Sequence, residues 1–258
     1  NHFVFMGFRA YKLTQSSKEV VLKSVKGSGL GILSNENKYK EYVLSQAPKG
    51  AQKLALSNEH LLILTKTSNV ATVHRPSHID YIGIKRLDKK GNVVGEYRFF
   101  GLFTSAAYNM DPQHITVLRK KIANVLSESN LQPGGHDYKA LKNILETYPR
   151  DELFQTPTLQ LLEFGLGILH IQERRQVKVF VRRDPFRRYF SVLTFVPRDT
   201  YNTKIRKKIE SRLTKTFNSS AAIEFNTLFS DSTLARTHFV VPVENTEKVD
   251  LDLEVLQA

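Results

Sequence analysis

Cysteine is absent from the 258 residues, so a disulfide framework, a thiolate metal site and a cysteine nucleophile are all excluded, and the composition suits a reducing, cytoplasmic setting. The fold has to stand on its packing. Long apolar runs are missing too, none approaching the ~18 residues that a membrane helix needs. The chain opens Asn1-His2-Phe3, with neither an initiator methionine nor the basic, apolar, then small-residue pattern of a signal peptide. At the other end Leu251 to Ala258 alternates acidic and apolar residues as though a strand or helix were cut. The whole reads as an internal piece of something longer.

Catalytic and cofactor signatures are equally scarce. No serine sits in a Gly-x-Ser-x-Gly elbow, and no pair of acids has helical spacing with a histidine partner. His74 and His78 are four apart, as on a zinc-binding helix, but Pro76 breaks such a helix and no glutamate follows His74. Residues His74 to Tyr81 read instead as a loop leading into a strand, held by side-chain hydrogen bonds. Gly27-Ser28-Gly29-Leu30-Gly31 has Ile32 where a dinucleotide fingerprint needs its third glycine, lacks the Lys-Ser/Thr pair of a phosphate loop, and precedes no apolar-periodic helix. It reads as a flexible loop. No catalytic residue, metal ligand or cofactor-binding residue is assigned.

What is present is ordinary globular material, 41% hydrophobic and 24% charged with mean hydropathy −0.32, long enough for two domains of ~100–150 residues. It is strongly basic, 38 Lys and Arg against 25 Asp and Glu. Residues 1–110 hold 16 basic and 7 acidic side chains, 111–170 hold 6 and 7, and 171–258 hold 16 and 11. Between Arg174 and Lys215 there are 14 basic residues against 3 acidic, followed by an acidic tail from Glu244 to Glu254. Such a stretch is either a solvated face set against an acidic neighbouring domain or a polyanion site.

The first 110 residues read as strands: Phe3 to Tyr11, Glu19 to Val25, His60 to Thr65, Ile79 to Leu87 and Val93 to Phe103, the last two joined by a glycine-containing hairpin loop at Asp88 to Asn92. Residues 34–58 read as an insertion across one face, with Lys38 to Ser45 the place for one short helix. Asp111-Pro112 then caps a helix with Leu118, Ile122, Val125 and Leu126 on its apolar face, and Asp137 starts a second that ends near Pro149.

The remainder runs helix, two strands, helix, two strands. The first helix spans Thr158 to Gln172. Strands Val177 to Arg183 and Tyr189 to Val196 turn at Asp184-Pro185. The second helix, capped by Asn202 or Thr203, buries Ile205, Ile209, Leu213 and Phe217 and exposes Lys204, Lys207, Lys208, Arg212 and Lys215. Strands Ala221 to Leu228 and Thr237 to Val243 follow. This order predicts two helices on one face of a four-stranded antiparallel sheet, a ferredoxin-like α+β sandwich. The aromatic strand at Tyr189 matches an RNA-recognition signature only at Arg187, Tyr189 and Val192, which is noise.

Longer strings carry more weight than composition. HFVFMGFRAY (His2 to Tyr11), HRPSHIDYIGIKRLD (His74 to Asp88), GEYRFFGLFTSAAYN (Gly95 to Asn109), YPRDELFQ (Tyr148 to Gln155), VFVRRDPFRRYFS (Val179 to Ser191) and VPRDTYNT (Val196 to Thr203) resemble, in order, the amino-terminal region of the large bacterial NAD-specific glutamate dehydrogenases. One departure is Arg187, where that family typically has glycine after Asp-Pro-Phe; if the position needs a positive φ, arginine there is costly.

The resemblance implies that oxidative deamination of glutamate with NAD is done by a catalytic domain elsewhere in a parent enzyme, and that this segment holds no cofactor. It also implies PAS-like and ACT-like modules serving regulation and homo-oligomer assembly. Residues 1–110 would be the PAS-like sheet, 111–150 a helical connector and 151–258 the ACT-like domain. If a small amino acid is bound as effector, the candidates are Arg182, Arg183 and Asp184 at the hairpin, with Arg198, Asp199 and Asn202 before the basic helix; alternatively these residues fix the turn, cap the helix or meet another domain. A basic nucleic-acid-binding module is the rival reading.

Overall fold

The structure, a computed structural model, describes residues 2–15, 19–59, 61–171, 174, 176–219, 221–228, 233–244, 246, 249 and 256. His60, Gln172 and most of the acidic tail, including all of Leu251 to Ala258 but Leu256, lie outside the described residues. The chain is α+β and divides into two compact units, Asn1–Met110 and Asp111–Ala258.

The first unit is an antiparallel sheet built from β1 (Phe3–Gln15), β2 (Val20–Ser24), the two-residue β3 (Leu30–Gly31), β4 (Glu41–Val43), then, after α1 (Lys49–Leu56), β5 (Leu62–Val70), β6 (His78–Leu87) and β7 (Val93–Phe103). The order is β4-β2-β1-β7-β6-β5, with β3 alongside β1. A short α2 (Ser105–Asn109) closes the unit.

Strand alternation sorts the side chains onto two faces. One carries Tyr11, Ile79, Phe100 and Leu102, and the segment between β3 and β5 lies over it through Leu33, Tyr39, Leu44 and Ala55. The insertion is therefore as expected, but its helix is not. It sits at Lys49–Leu56, whereas Glu41–Val43, inside the stretch expected to be helical, pairs with β2. Pro48 supplies the helix start with φ −53°, and Tyr42 and Val43 favour an extended backbone.

The glycine-rich segment is a built turn rather than a loose one. Leu30 and Gly31 pair with β1, Ser28 Oγ donates to Ala10 O, and a Cβ on Gly29 would lie 2.3 Å from a guanidinium nitrogen of Arg9. The β6–β7 hairpin follows expectation: Asp88 Oδ1 accepts from the Lys90 and Asn92 amides and Gly91 takes φ +83°.

In the second unit Asp111 accepts from the Gln113 amide and caps a 3-10 turn at Pro112–His114; α3 (Thr116–Glu128) starts afresh after it. Next come α4 (His136–Glu146), the short α5 (Arg150–Gln155) and α6 (Thr158–Ile171). The strands are β8 (Lys178–Arg183) and β9 (Tyr189–Pro197), then, beyond α7 (Thr203–Phe217), β10 (Glu224–Leu228) and β11 (Leu234–Pro242), in the order β10-β11-β9-β8.

The expected pair of helices on one face is not found. Phe180, Leu193 and Phe195 share a core with α3, α4 and α6, whereas Val179, Phe190, Val192, Phe239 and Val241 pack on the other face with Leu213 and Phe217 of α7. The sheet is a middle layer. Ten of the fourteen positions of α6 are apolar or glycine, an arc too wide to show which side meets the sheet; it meets α3 and α4 on one flank and Phe180 on the other. The basic helix α7 fits its pattern, with Asn202 accepting from the Ile205 amide and Lys204, Lys207, Lys208, Arg212 and Lys215 exposed, although Ile205 and Ile209 are only half-buried.

Candidate functional site

Arg182, Arg183, Asp184, Arg198, Asp199 and Asn202 do not form one site. Three sit where β8 turns into β9 and three follow the far end of β9, whose nine residues span roughly 25–30 Å at ~3.3 Å each. Asn202 is spent on capping α7, and the Arg198 amide donates to Thr233 O. Arg183 is exposed, its guanidinium 5.6 Å from the centre of the Phe190 ring.

The hairpin end is built around Asp184, which is buried. Its carboxylate accepts from the Arg188 guanidinium at 2.8 Å and the Arg188 amide at 3.2 Å, while its carbonyl accepts from the Arg187 amide. That geometry puts Arg187 at φ +62°, the left-handed region that a side chain disfavours.

Arg182 is 2% exposed and turns inward, onto the face covered by the helices. Its guanidinium grips Glu152 of α5 through two 2.6 Å bonds and reaches Gln155 at 3.2 Å; Tyr189 donates to the same Gln155 oxygen at 2.5 Å. Burial pulls the Glu152 carboxyl up, but the Arg182 charge and its hydrogen bonds outweigh burial and hold it at about 2. The same pairing raises Arg182 against its own burial.

His238 Nε2 lies 2.9 Å from Ser191 Oγ and 3.8 Å from Glu152. Burial lowers His238 more than Glu152 raises it, favouring the neutral ring. A serine, a histidine and a carboxylate together suggest a nucleophilic relay, but here serine and carboxylate approach the same ring nitrogen. A relay needs them on opposite nitrogens, and Ser191 is 3% exposed. The cluster is a clamp, not a reaction centre.

Lys121 of α3 completes it by donating to the carbonyls of Leu153, Phe154 and Thr156 at 2.8–2.9 Å, satisfying the end of α5. Burial lowers Lys121 to about 8, so it remains charged at neutral pH. None of Glu152, Gln155, His238 or Lys121 stood out in the sequence. The available signal was Arg182 itself, an arginine in the apolar run Val179-Phe180-Val181, and both partners lie inside strings quoted for the family resemblance.

The first unit has its own buried cations. Arg9 is fully buried, donating to Ser34 O at 3.1 Å and Tyr39 O at 3.5 Å. Opposite it on β7, Arg98 pairs with Glu96 at 3.1 Å and lies over the rings of Tyr11, Tyr42 and Tyr81 at 4.4–5.7 Å. Lys85 donates to Leu54 O and Ser57 O at the end of α1, and burial lowers it to about 8.

Residues 178–258 match the family model for the glutamate dehydrogenase ACT2 domain, and residues 115–174 the model for glutamate dehydrogenase helical motif 1. The second match ends with α6, which packs with α3 and α4. The chain is 35% identical over 264 residues to the NAD-specific glutamate dehydrogenase of Halomonas elongata and 36% over 271 residues to that of Pseudomonas aeruginosa, each alignment covering 100% of this chain and 16% of the relative. Against the Mycobacterium tuberculosis protein of the same name, identity is 29% over 214 residues, 83% of this chain and 12% of the relative. The chain spans about a sixth of the length of the first two curated relatives it matches.

Proposed function

We propose that this chain, which resembles the NAD-specific glutamate dehydrogenases from end to end and carries two of their domain models, is a non-catalytic regulatory and assembly segment of such an enzyme. The parent would deaminate L-glutamate to 2-oxoglutarate with NAD bound in a catalytic domain outside these residues, as a cytoplasmic homo-oligomer. Residues 1–110 serve as a PAS-like module and the sheet after α6 as an ACT-like one. The supporting observation is the use made of the ionisable clusters. Arg182, Glu152, His238 and Lys121 are all engaged in holding α5 against the sheet, an arrangement suited to fixing a layer in place.

The test has two parts. The 258-residue chain should form no NADH from glutamate and NAD, and glutamate-dependent NADH formation by it alone would end the reading. A thermal-shift series with free amino acids then asks whether an effector binds. Ligand at ~100 times its Kd adds roughly 2.7 kcal/mol, several degrees in Tm, and loss of the shift in Arg198→Ala would place the effector at the α7 end of β9. No shift with any amino acid leaves assembly as the role.

One observation favours a second reading. The exposed Lys204, Lys207, Lys208, Arg212 and Lys215 line one side of α7, as a polyanion site would. Binding of a short RNA there should weaken on the order of 10³-fold between 50 and 200 mM salt if about six phosphates are neutralised. Salt-independent binding, or none, removes this reading.

A further inference from the structure

The second face of the seven-stranded sheet carries a hydrophobic surface that no described element of its own unit covers. The register sets Leu64, Ile82, Phe99 and Phe8 side by side across β5, β6, β7 and β1, with Ile84 and Tyr97 adjacent in the next row. Tyr97 is 38% and Ile84 40% exposed, and the other four are half-buried. None of the six belongs to either core of that unit. Contiguous apolar surface of this kind marks an interaction site.

The adjoining row fixes the partner's chemistry. Arg86 and Lys12 both face Gly95, and Lys12 lies directly opposite Lys23, whose other neighbour is Glu41 of β4, so the row sets three cations against one acid. Like charges in opposed positions on a sheet are destabilising. On the opposite flank the acid Asp80 is buried, engaged by Lys66 at 2.9 Å and the Phe103 amide at 2.7 Å. A second copy laid on this face would bring three more cations and, as strand acids, only the buried Asp80 and Glu41, which already faces Lys23. A single nucleic-acid strand would need open ring faces, but Arg86 sits 5.1 Å from the centre of the Tyr97 ring, Phe8 and Phe99 lie 4.9 Å apart against each other, and the remaining positions are aliphatic.

We propose that this face docks an acidic segment with one apolar side, contributed by the part of the parent polypeptide outside these 258 residues. The apolar side covers the two rows, and its carboxylates meet Arg86 and Lys12, which have only Gly95 and Lys23 beside them in the row. This rests on the reading of the chain as one sixth of a longer enzyme.

The experiment replaces Tyr97 by a photo-crosslinking phenylalanine in the full-length protein and maps the product. The expected product joins position 97 to a stretch of the same polypeptide outside these residues where Asp or Glu flank apolar side chains. Arg86→Glu should cut its yield at least tenfold and Arg86→Lys should preserve it. A crosslink to the same face of another subunit, a crosslink to co-purified nucleic acid, no crosslink, or a yield indifferent to Arg86→Glu each overturns the proposal. In the 258-residue chain Ile84→Glu should leave Tm within about one degree; a larger drop would make the face part of the unit's own core and overturn it too. Glutamate-dependent NADH formation by the full-length protein is measured separately, so failure of the parent reading is told apart from failure of the docking.

Discussion

Each unit buries an arginine, and the two do it by different means. Arg9 in the first unit ends on backbone carbonyls of Ser34 and Tyr39, groups held in place by a turn 25 to 30 residues away. Arg182 in the second ends on the Glu152 carboxylate, whose helix is anchored in turn by Lys121. A cation on carbonyls can be deleted without stranding an opposite charge, whereas a cation on a carboxylate cannot. The first arrangement should therefore tolerate change better and ignore mild acid, and the second should do neither.

The largest effect is expected from Arg182→Met, which leaves Glu152 buried without its partner. A loss of about 3–5 kcal/mol in urea unfolding is the expected result, and a double variant that also carries Glu152→Leu should recover much of it. A single Arg182→Met costing under about 1 kcal/mol would erase the contrast. Arg9→Met should cost less, about 1–3 kcal/mol for carbonyls left unsatisfied, with no recovery available from a second substitution.

Acid sharpens the same comparison. Glu152 has its folded pKa lowered from 4.5 to about 2, so the stability it contributes is present above pH 4.5 and is lost as pH falls towards 2. Unfolding followed at stepwise pH should show this acid limb, and the Arg182→Met variant should lack it. A limb of unchanged size in that variant would assign it to other carboxylates.

The smallest effect belongs to Arg187, at φ +62°. Arg187→Gly should stabilise the second unit by about 0.5–1 kcal/mol, read as a rise in the urea midpoint at constant slope. A fall would show that the side chain contributes more than its backbone conformation costs.

The family resemblance, with arginine where glycine is expected, predicts a costly backbone at Arg187 if its φ is positive, and the φ is positive. The β6–β7 hairpin and the capped α7 were also legible, since turn chemistry and one-sided periodicity are local signals. The layering around α6 was not, because an apolar arc that covers most of a helix does not say which side meets the sheet. Nor was the clamp: Glu152 and Arg182 are 30 positions apart, and a charged residue in a sequence looks solvent-facing until its partner is found. The six candidate residues follow from the expectation of an effector site at a strand–helix junction, and the length of β9 holds the hairpin three apart from the three at the helix entry.

The register of β1 has a consequence for the order of assembly. Phe3 is set directly opposite Phe103, a hundred positions later, so the central seam of the first sheet joins the earliest strand to the latest. During synthesis β1 emerges with only β2 and β3 to pair with, and its other edge has no mate until β7 leaves the ribosome. The hairpins β1–β2 and β6–β7 can close early, but the seam between them bears the entropy of a long loop. Late zipping of this seam leaves the open edge of β1 exposed to aggregation and chaperone capture until β7 pairs with it.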